Sequence, residues 1–324
     1  MSFSRRHLLI SAGALLSGLA FGTPAFAEGA FVAVTAIVEH PALDACRDGI
    51  RDELKASGFE DGKNFRFTYE SAQGNPGTAV QIAQKLVGET PTVIVPISTP
   101  SAQAVIAATQ DIPVVFTAVT DPVGAKLVSN AEKPGGNVTG MSDLSPIAKQ
   151  LELIQQIVPS AKKIGVPYNP GEANAVTLVG LVKENAKALG MEVVEASATK
   201  SSEVQAAAQS LVGKVDVIYV PTDNTIVSAL EAVVGVGVDN KLPVFAGDTD
   251  SVKRGVIAAV GFDYYDVGRQ TGKIVARILK GEKPGDIAVQ GVEITQLFVN
   301  PGAAEKMGIT IPEALVASAK EVVK

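Results

Sequence analysis

Short runs rich in β-branched residues alternate with helical stretches along almost the whole chain, and this alternation restricts the fold more than any other feature. The runs are Phe31–Val38, Phe65–Glu70, Thr92–Pro96, Val114–Thr117, Lys163–Pro167, Glu192–Glu195, Val215–Val220, Val244–Ala246 and Val256–Val260. Between them lie Leu43–Ser57, Thr78–Val87, Ser101–Thr109, Lys149–Ile157, Ala175–Leu189, Ser202–Leu211, Thr225–Val236 and Val267–Lys280. Most of the runs are continuously apolar, not alternating, which is the pattern of strands buried on both faces of a parallel sheet. Such a sequence defines the class as α/β, with helices on both faces of each sheet. Pro134-Gly135-Gly136-Asn137 punctuates the pattern near its middle, and a short extended piece, Val138–Met141, follows. Each half holds enough strands for one open sheet, so two doubly wound lobes are expected.

Residues 1–27 stand outside this pattern and have the parts of an export signal. Arg5 and Arg6 supply the charge, Leu8–Phe21 the apolar stretch, and Ala25-Phe26-Ala27 the small-x-small cleavage site. The order Ser4-Arg5-Arg6-His7-Leu8-Leu9 also fits a twin-arginine signal. Paired arginines occur in ordinary signals as well, so the export route stays open. The apolar stretch falls short of the roughly 20 residues that span a bilayer. No cysteine follows the cleavage site to carry a lipid. A periplasmic protein, cleaved after Ala27, is expected.

Composition removes several function classes. Losing Arg5 and Arg6, with no acid, takes the net charge from −6 to −8, a poor surface for a polyanion, so no nucleic-acid partner is expected. Cys46 is the only cysteine, which excludes a disulfide scaffold and suits a buried thiol. After cleavage His40 is the only histidine, too few for a metal site of several imidazoles. The chain has no H-E-x-x-H, G-x-S-x-G or C-x-x-C motif. Gly268-Arg269-Gln270-Thr271-Gly272-Lys273 is one residue short of a P-loop and falls inside a helical stretch. No metal, cofactor or catalytic residue is expected.

In open α/β sheets ligands bind beyond the carboxyl ends of the strands. The tips in the first half are Val38–Pro41, Ile97–Ser101 and Thr117–Pro122, and in the second half Tyr168–Glu172, Pro221–Thr225 and Gly247–Ser251. They carry Glu39, Asp121, Glu172, Asp223, Asp248 and Asp250, and neither Lys nor Arg. That bias opposes phosphate and suits an ammonium group. Hydroxyls and the free N–H groups of the helix after Pro100 suit a carboxylate. An acidic pole facing a hydroxyl-rich one is the profile of an amino-acid site. Each residue also has a purely structural role open to it, because Asp, Ser, Thr and Pro are ordinary helix caps and first-turn residues. Phe262, Tyr264 and Tyr265 suit a hinge better than a cleft wall.

The same tips carry a resemblance. Val34–Ala45, Ser98–Ala104, Pro113–Gly124, Lys133–Gly140, Tyr168–Asn174, Tyr219–Thr225, Phe245–Ser251 and Gly261–Gly272 resemble the ABC-transporter substrate-binding proteins, and within them the tryptophan/tyrosine-type subfamily. The resemblance covers essentially all of the mature chain. It implies a type I periplasmic-binding fold of two Rossmann-like lobes joined by three hinge crossovers. The lobes are expected at 28–141 plus 262–288 and at 142–261 plus 289–324. It also implies an aromatic amino acid as ligand, an ABC permease of the cytoplasmic membrane as partner, and a monomer. Carried onto this chain, Ser98, Thr99, Thr117 and Ala118 take the ligand carboxylate. Asp223 and Asp248 take the ammonium, and Tyr168 and His40 frame the side chain. Asp121, Asn169, Glu172, Thr222 and Asn224 complete the expected site, while capping is the stronger reading for Ser101 and Thr249. A sugar or nucleoside ligand and an exported α/β enzyme are the alternatives; the absence of Trp weakens the sugar reading.

Overall fold

The structure is a computed structural model and describes residues 29–323. The proposed export signal, with its cleavage point after Ala27, therefore lies outside the described residues.

The first half runs β1 (Ala30–Ala36), α1 (Pro41–Ala56), β2 (Phe65–Ser71), α2 (Pro76–Gly88), β3 (Val93–Ile97), α3 (Thr99–Ala108), β4 (Val114–Val119) and β5 (Val138–Ser142). The second half runs α4 (Ile147–Ile157), β6 (Lys163–Tyr168), α5 (Ala173–Ala188), β7 (Glu192–Ser197), α6 (Val204–Leu211), β8 (Val217–Val220), α7 (Asn224–Ser228), α8 (Leu230–Asn240), β9 (Val244–Ala246), α9 (Asp250–Lys253) and β10 (Ala258–Gly261). The chain ends through α10 (Tyr264–Leu279), β11 (Gln290–Gly291), β12 (Gln296–Val299), α11 (Pro301–Lys306), α12 (Glu313–Ser318) and β13 (Glu321–Val322).

Among the described residues three sheets result, ordered β11-β5-β4-β3-β1-β2, β7-β6-β8-β9 and β10-β12-β13. The pairings in the two larger sheets are parallel. Strand β1 shows why its sequence is apolar throughout. Val32, Val34 and Ala36 face α1 and α10 on one side, while Phe31, Ala33 and Ile37 face α2 and α3 on the other. Each such Val or Ile removed from water contributes about 1.5–3 kcal/mol.

Helix α10 returns to the first lobe and packs along α1. The contact is close because glycines line it. A Cβ on Gly268 would lie 2.0 Å from the Cys46 carbonyl oxygen, and one on Gly49 would lie 2.2 Å from that of Tyr265. The glycines of the near-P-loop run thus serve helix packing. Cys46 is fully buried, as expected, and burial pushes its thiol up to about 12.

The structure corrects several expected elements. The helix expected at Thr225–Val236 breaks at Ala229, whose φ of −121° and ψ of 31° leave the helical region, and becomes α7 and α8. Helix α10 starts at Tyr264, ahead of the expected Val267, because the Asp263 carboxylate accepts from the Tyr265 and Asp266 amides. The strand expected at Val256–Val260 is Ala258–Gly261, and it pairs antiparallel with the returning tail strand β12. Gln290 and Gly291 still belong to the first sheet, beside Met141 and Ser142, so the last crossing to the second lobe follows Gly291 rather than residue 288. The chain passes between lobes at 143–146, 262–263 and 292–295, which brings both sets of strand tips face to face.

Candidate functional site

A cleft of about 340 Å³ lies where the strand tips meet. His40, Ala42, Leu43, Ala118 and Thr120 form its first-lobe wall; Asn174, Thr222, Asn224, Val227 and Asp248 form the opposite one. Asp143, on the first crossing, and Tyr264, the first residue of α10 just past the second, complete the lining. Of the residues expected from sequence, His40, Ala118, Thr222, Asn224 and Asp248 are on these walls.

His40 ends the β1 tip and caps α1, with extended backbone and Pro41 after it. Its Nδ1 is buried without a hydrogen-bond partner. Burial, helped by the Arg254 charge from the second lobe, pulls its pKa down to about 3, so the imidazole is neutral. Arg254 stands behind cleft-lining Val227, donating to its carbonyl and holding Glu231 through two bonds of 2.7 Å.

Ser98 and Ala118 adopt φ of +79° and +52°, unusual for residues with a Cβ. The Ser98 N–H donates to the Thr117 carbonyl at 2.9 Å, which sets the α3 N-terminus beside Ala118. The hydroxyls of Ser98, Thr99 and Ser101 are buried there without partners. At the same tip the β4–β5 register shifts between Phe116 and Val119. Thr117 faces α1 and α10, the side that Val115 also takes, with Oγ1 2.7 Å from that of Thr271 and 3.4 Å from the Cys46 sulfur. It does not reach the cleft.

On the second lobe Asp223 is also turned away from the cleft. Its Oδ1 accepts from the Ile226 amide at 2.9 Å, capping α7, and Oδ2 accepts from the Asn169 amide at 2.5 Å. Burial, and then the neighbouring Glu172, hold its pKa well above the usual carboxylate range. Glu172 is saturated as well, accepting from the amides of Asn224 and Thr225 and from both their side chains. Asn169 serves the same knot, donating to Thr225 Oγ1 and accepting from the Gly171 amide. Capping of α7 explains Asp223 and Glu172, and Asn169 closes the turn ahead of α5.

Asp248 does face the cleft. It accepts from the Ser251 amide at 2.9 Å and hydroxyl at 2.6 Å, and burial raises its pKa. Asn174, on the first turn of α5, donates to the Thr222 carbonyl at 3.1 Å and leaves Oδ1 without a partner. Asp121 closes its own turn by accepting from the Gly124 amide at 2.8 Å. Tyr168 points back toward Glu195 on β7, whose hydrogen bond raises the phenol pKa. Neither is on the cleft wall.

Sequence reasoning missed Asp143 and Tyr264. The Tyr264 phenol donates to Asp143 Oδ2 at 2.7 Å, while Asp143 Oδ1 is buried and unpartnered. Burial lifts the Asp143 carboxyl to about 6. Applying the strand-tip rule to the short extended piece Val138–Met141 finds Asp143, since it lies just past that strand. Tyr264 is both hinge and cleft wall. Among the described residues no group of three or more His, Cys, Asp or Glu is placed to hold a metal ion.

Fold and site together define a two-lobed binding protein that clamps a small molecule at opposed strand tips. Residues 31–323 match the model of the ABC transporter substrate binding protein family, and the chain belongs to that family. Its architecture is the type I periplasmic-binding fold. A curated relative, the tyrosine-binding protein of Clostridioides difficile, is 45% identical over 83% of this chain and 78% of its own. Among solved structures, a conserved domain protein from Vibrio cholerae has a TM-score of 0.89 at 55% identity, covering 91% of this chain and 99% of its own. The L-Trp complex of an ABC domain from Streptococcus pneumonia scores 0.88 at 36% identity, covering 91% and 100%. The ligand-free, open structure of a substrate-binding protein with adhesive properties from Clostridium difficile scores 0.68 at 41% identity, covering 91% and 99%. The two lobes of this chain meet across the cleft. Here they are closed, with α3 against α5 and α1 against α9. Substrate-binding proteins of ABC transporters act outside the cytoplasm. No helix among the described residues is long and apolar enough to cross a membrane.

Proposed function

We propose that this protein captures an aromatic amino acid between its lobes and passes it to an ABC permease in the cytoplasmic membrane. The observation that carries the reading is Asp143 Oδ1, a buried carboxylate oxygen in the cleft lining with no partner among the described residues. A ligand ammonium supplies the missing donor, with Asp248 as the second acid. The unpartnered hydroxyls of Ser98 and Thr99 and the α3 N-terminus suit the carboxylate. His40, Leu43, Val227 and Tyr264 offer a mostly apolar lining for the side chain. The tyrosine-binding relative and the L-Trp complex point to the same ligand class. Closure excludes water, which strengthens the ammonium–carboxylate contact. The work is binding without chemistry, done by a monomer exported to the periplasm and cleaved after Ala27.

Calorimetry of refolded, ligand-stripped mature protein against the standard amino acids tests this. Saturable binding of L-tryptophan or L-tyrosine is expected. No binding at millimolar concentration would sink it.

A further inference from the structure

Gln150 is a buried amide inside the apolar core of the second lobe, one turn into α4, and it is not part of the cleft wall. Its Nε2 donates to the Gly247 carbonyl at 3.0 Å and to the Val260 carbonyl at 2.9 Å, and its Oε1 accepts from the fully buried Tyr219 phenol at 2.5 Å. The two carbonyls belong to different sheets. Gly247 follows β9 and immediately precedes Asp248; Val260 lies in β10, just before the second crossing. Near their amino ends the two segments are joined by the Ile257 amide donating to the Val244 carbonyl at 2.8 Å. Toward their carboxyl ends the Gln150 side chain makes the join. The approach there is too close for a side chain, since a Cβ on Gly261 would lie 2.8 Å from the Gly247 oxygen. One residue beyond Asp248, the Thr249 hydroxyl donates to the Phe262 carbonyl at 2.9 Å. Asp248 is therefore tied on both sides to the crossing that leads into Tyr264 and its bond to Asp143.

We propose that Gln150 is a positioning residue that fixes Asp248 against the second hinge crossing, so that the cleft acid and the hinge move as one body. A hydrophobic side chain of equal size fills the space but leaves two buried carbonyls unpaired, and the β9 tip then loses its register with the crossing.

The test compares wild-type mature protein with Gln150→Met. Hydrogen exchange on the ligand-free chains needs no assumption about the ligand. At least tenfold faster exchange in residues 248–252 and 258–263, with β6 and β7 unchanged, is expected. Unchanged exchange in those segments, or an equal rise throughout the lobe, would overturn the proposal. A second arm rests on the amino-acid reading and uses L-tryptophan as probe. Gln150→Met should weaken binding at least tenfold, but by less than threefold in an Asp248→Asn background, because its effect passes through Asp248. The full tenfold loss in both backgrounds would also overturn it. Failure of the wild type to bind L-tryptophan counts against the ligand reading alone, and the exchange arm then decides. Should Gln150→Met not fold, Gln150→Asn, one methylene too short for both carbonyls, carries the same comparisons.

Discussion

Tyr264 donates its phenolic hydrogen to one oxygen of Asp143 across 2.7 Å and leaves the other oxygen buried and unpartnered. The first crossing is thus joined to the start of α10 by a bond that also orients an acceptor into the cleft. Asp143→Asn keeps an oxygen for Tyr264 but removes the charge. A hydrogen bond to a charged group contributes about 1.5–3 kcal/mol, so affinity for the amino acid should fall by roughly tenfold to a hundredfold. Calorimetry reads the loss. An unchanged Kd would remove Asp143 from the site.

Asp223 and Asp248 look equivalent in sequence, and the structure separates them. Asp223→Ala removes the α7 cap and the acceptor of the Asn169 amide. It should lower stability by about 1–2 kcal/mol, a drop of a few degrees in Tm. Asp248→Asn should instead weaken binding at least tenfold with little change in Tm. Thermal melts and titrations of both variants check the split. The reverse assignment of the two effects would refute it.

Acidification should weaken binding. His40 is held down to about 3 in the closed protein by burial and by Arg254, against an ordinary 6.5, so below about pH 6.5 closure must first release its proton. Asp143, raised to about 6 by burial, must be ionised to receive an ammonium, so its protonation below that pH opposes binding as well. Both act in the same direction, and Kd should rise by up to about tenfold per pH unit for each proton released. In stability the two oppose. His40 costs stability as pH falls below 6.5, while Asp143 costs it as pH rises from its ordinary 3.8 through about 6. Titrations from pH 7 to 5 in buffers of different ionisation enthalpy would count the protons. A flat Kd across that range would overturn the assignment.

Gly268→Ala should be among the most damaging small substitutions in the chain. The added carbon would sit 2.0 Å from the Cys46 carbonyl oxygen and 2.9 Å from its Cα, both backbone atoms that no rotamer change can move. Helix α10 must shift away from α1, at a cost of about 1–3 kcal/mol or more. Because α10 begins at Tyr264, affinity should drop along with stability. A urea midpoint equal to that of the wild type would show that the helix contact relaxes freely.

The sheets were legible because burial on both faces leaves continuous apolar runs, as in β1, and the cleft was legible because parallel sheets present their tips on one side. What the sequence did not separate was the use of each polar tip residue. Asp223 and Asp248 both precede short helices, yet only the second turns its carboxylate toward the ligand side while capping. Thr117 falls on the α1 and α10 side with Val115, as alternation along β4 dictates, and the tip rule by itself does not register which face a residue takes. Asn174 lay inside a run already singled out, but its unpartnered Oδ1 depends on the Thr222 carbonyl, far away in sequence. Asp143 was readable in principle. The short strand before it, β5, ends at the same edge as the longer ones.

The unpartnered polar atoms also bear on which aromatic ligand fits. His40 Nδ1 and Asn174 Oδ1 stand on opposite walls of the cleft, and neither has a hydrogen-bond partner among the described residues. A zwitterion answered by Asp143, Asp248 and the α3 hydroxyls leaves one or both of these atoms for the ligand side chain. A phenolic hydroxyl or an indole N–H satisfies such an atom, and a phenyl ring strands it. Sites built around a buried polar group reject the analogue that lacks the matching group more strongly than apolar pockets discriminate by size. L-tyrosine or L-tryptophan should therefore bind at least tenfold more tightly than L-phenylalanine. Asn174→Ala should narrow that ratio by weakening the preferred ligand more than L-phenylalanine. Competition titrations of the three amino acids against wild type and variant decide it, and equal affinity for all three in the wild type would show that these atoms do not read the side chain.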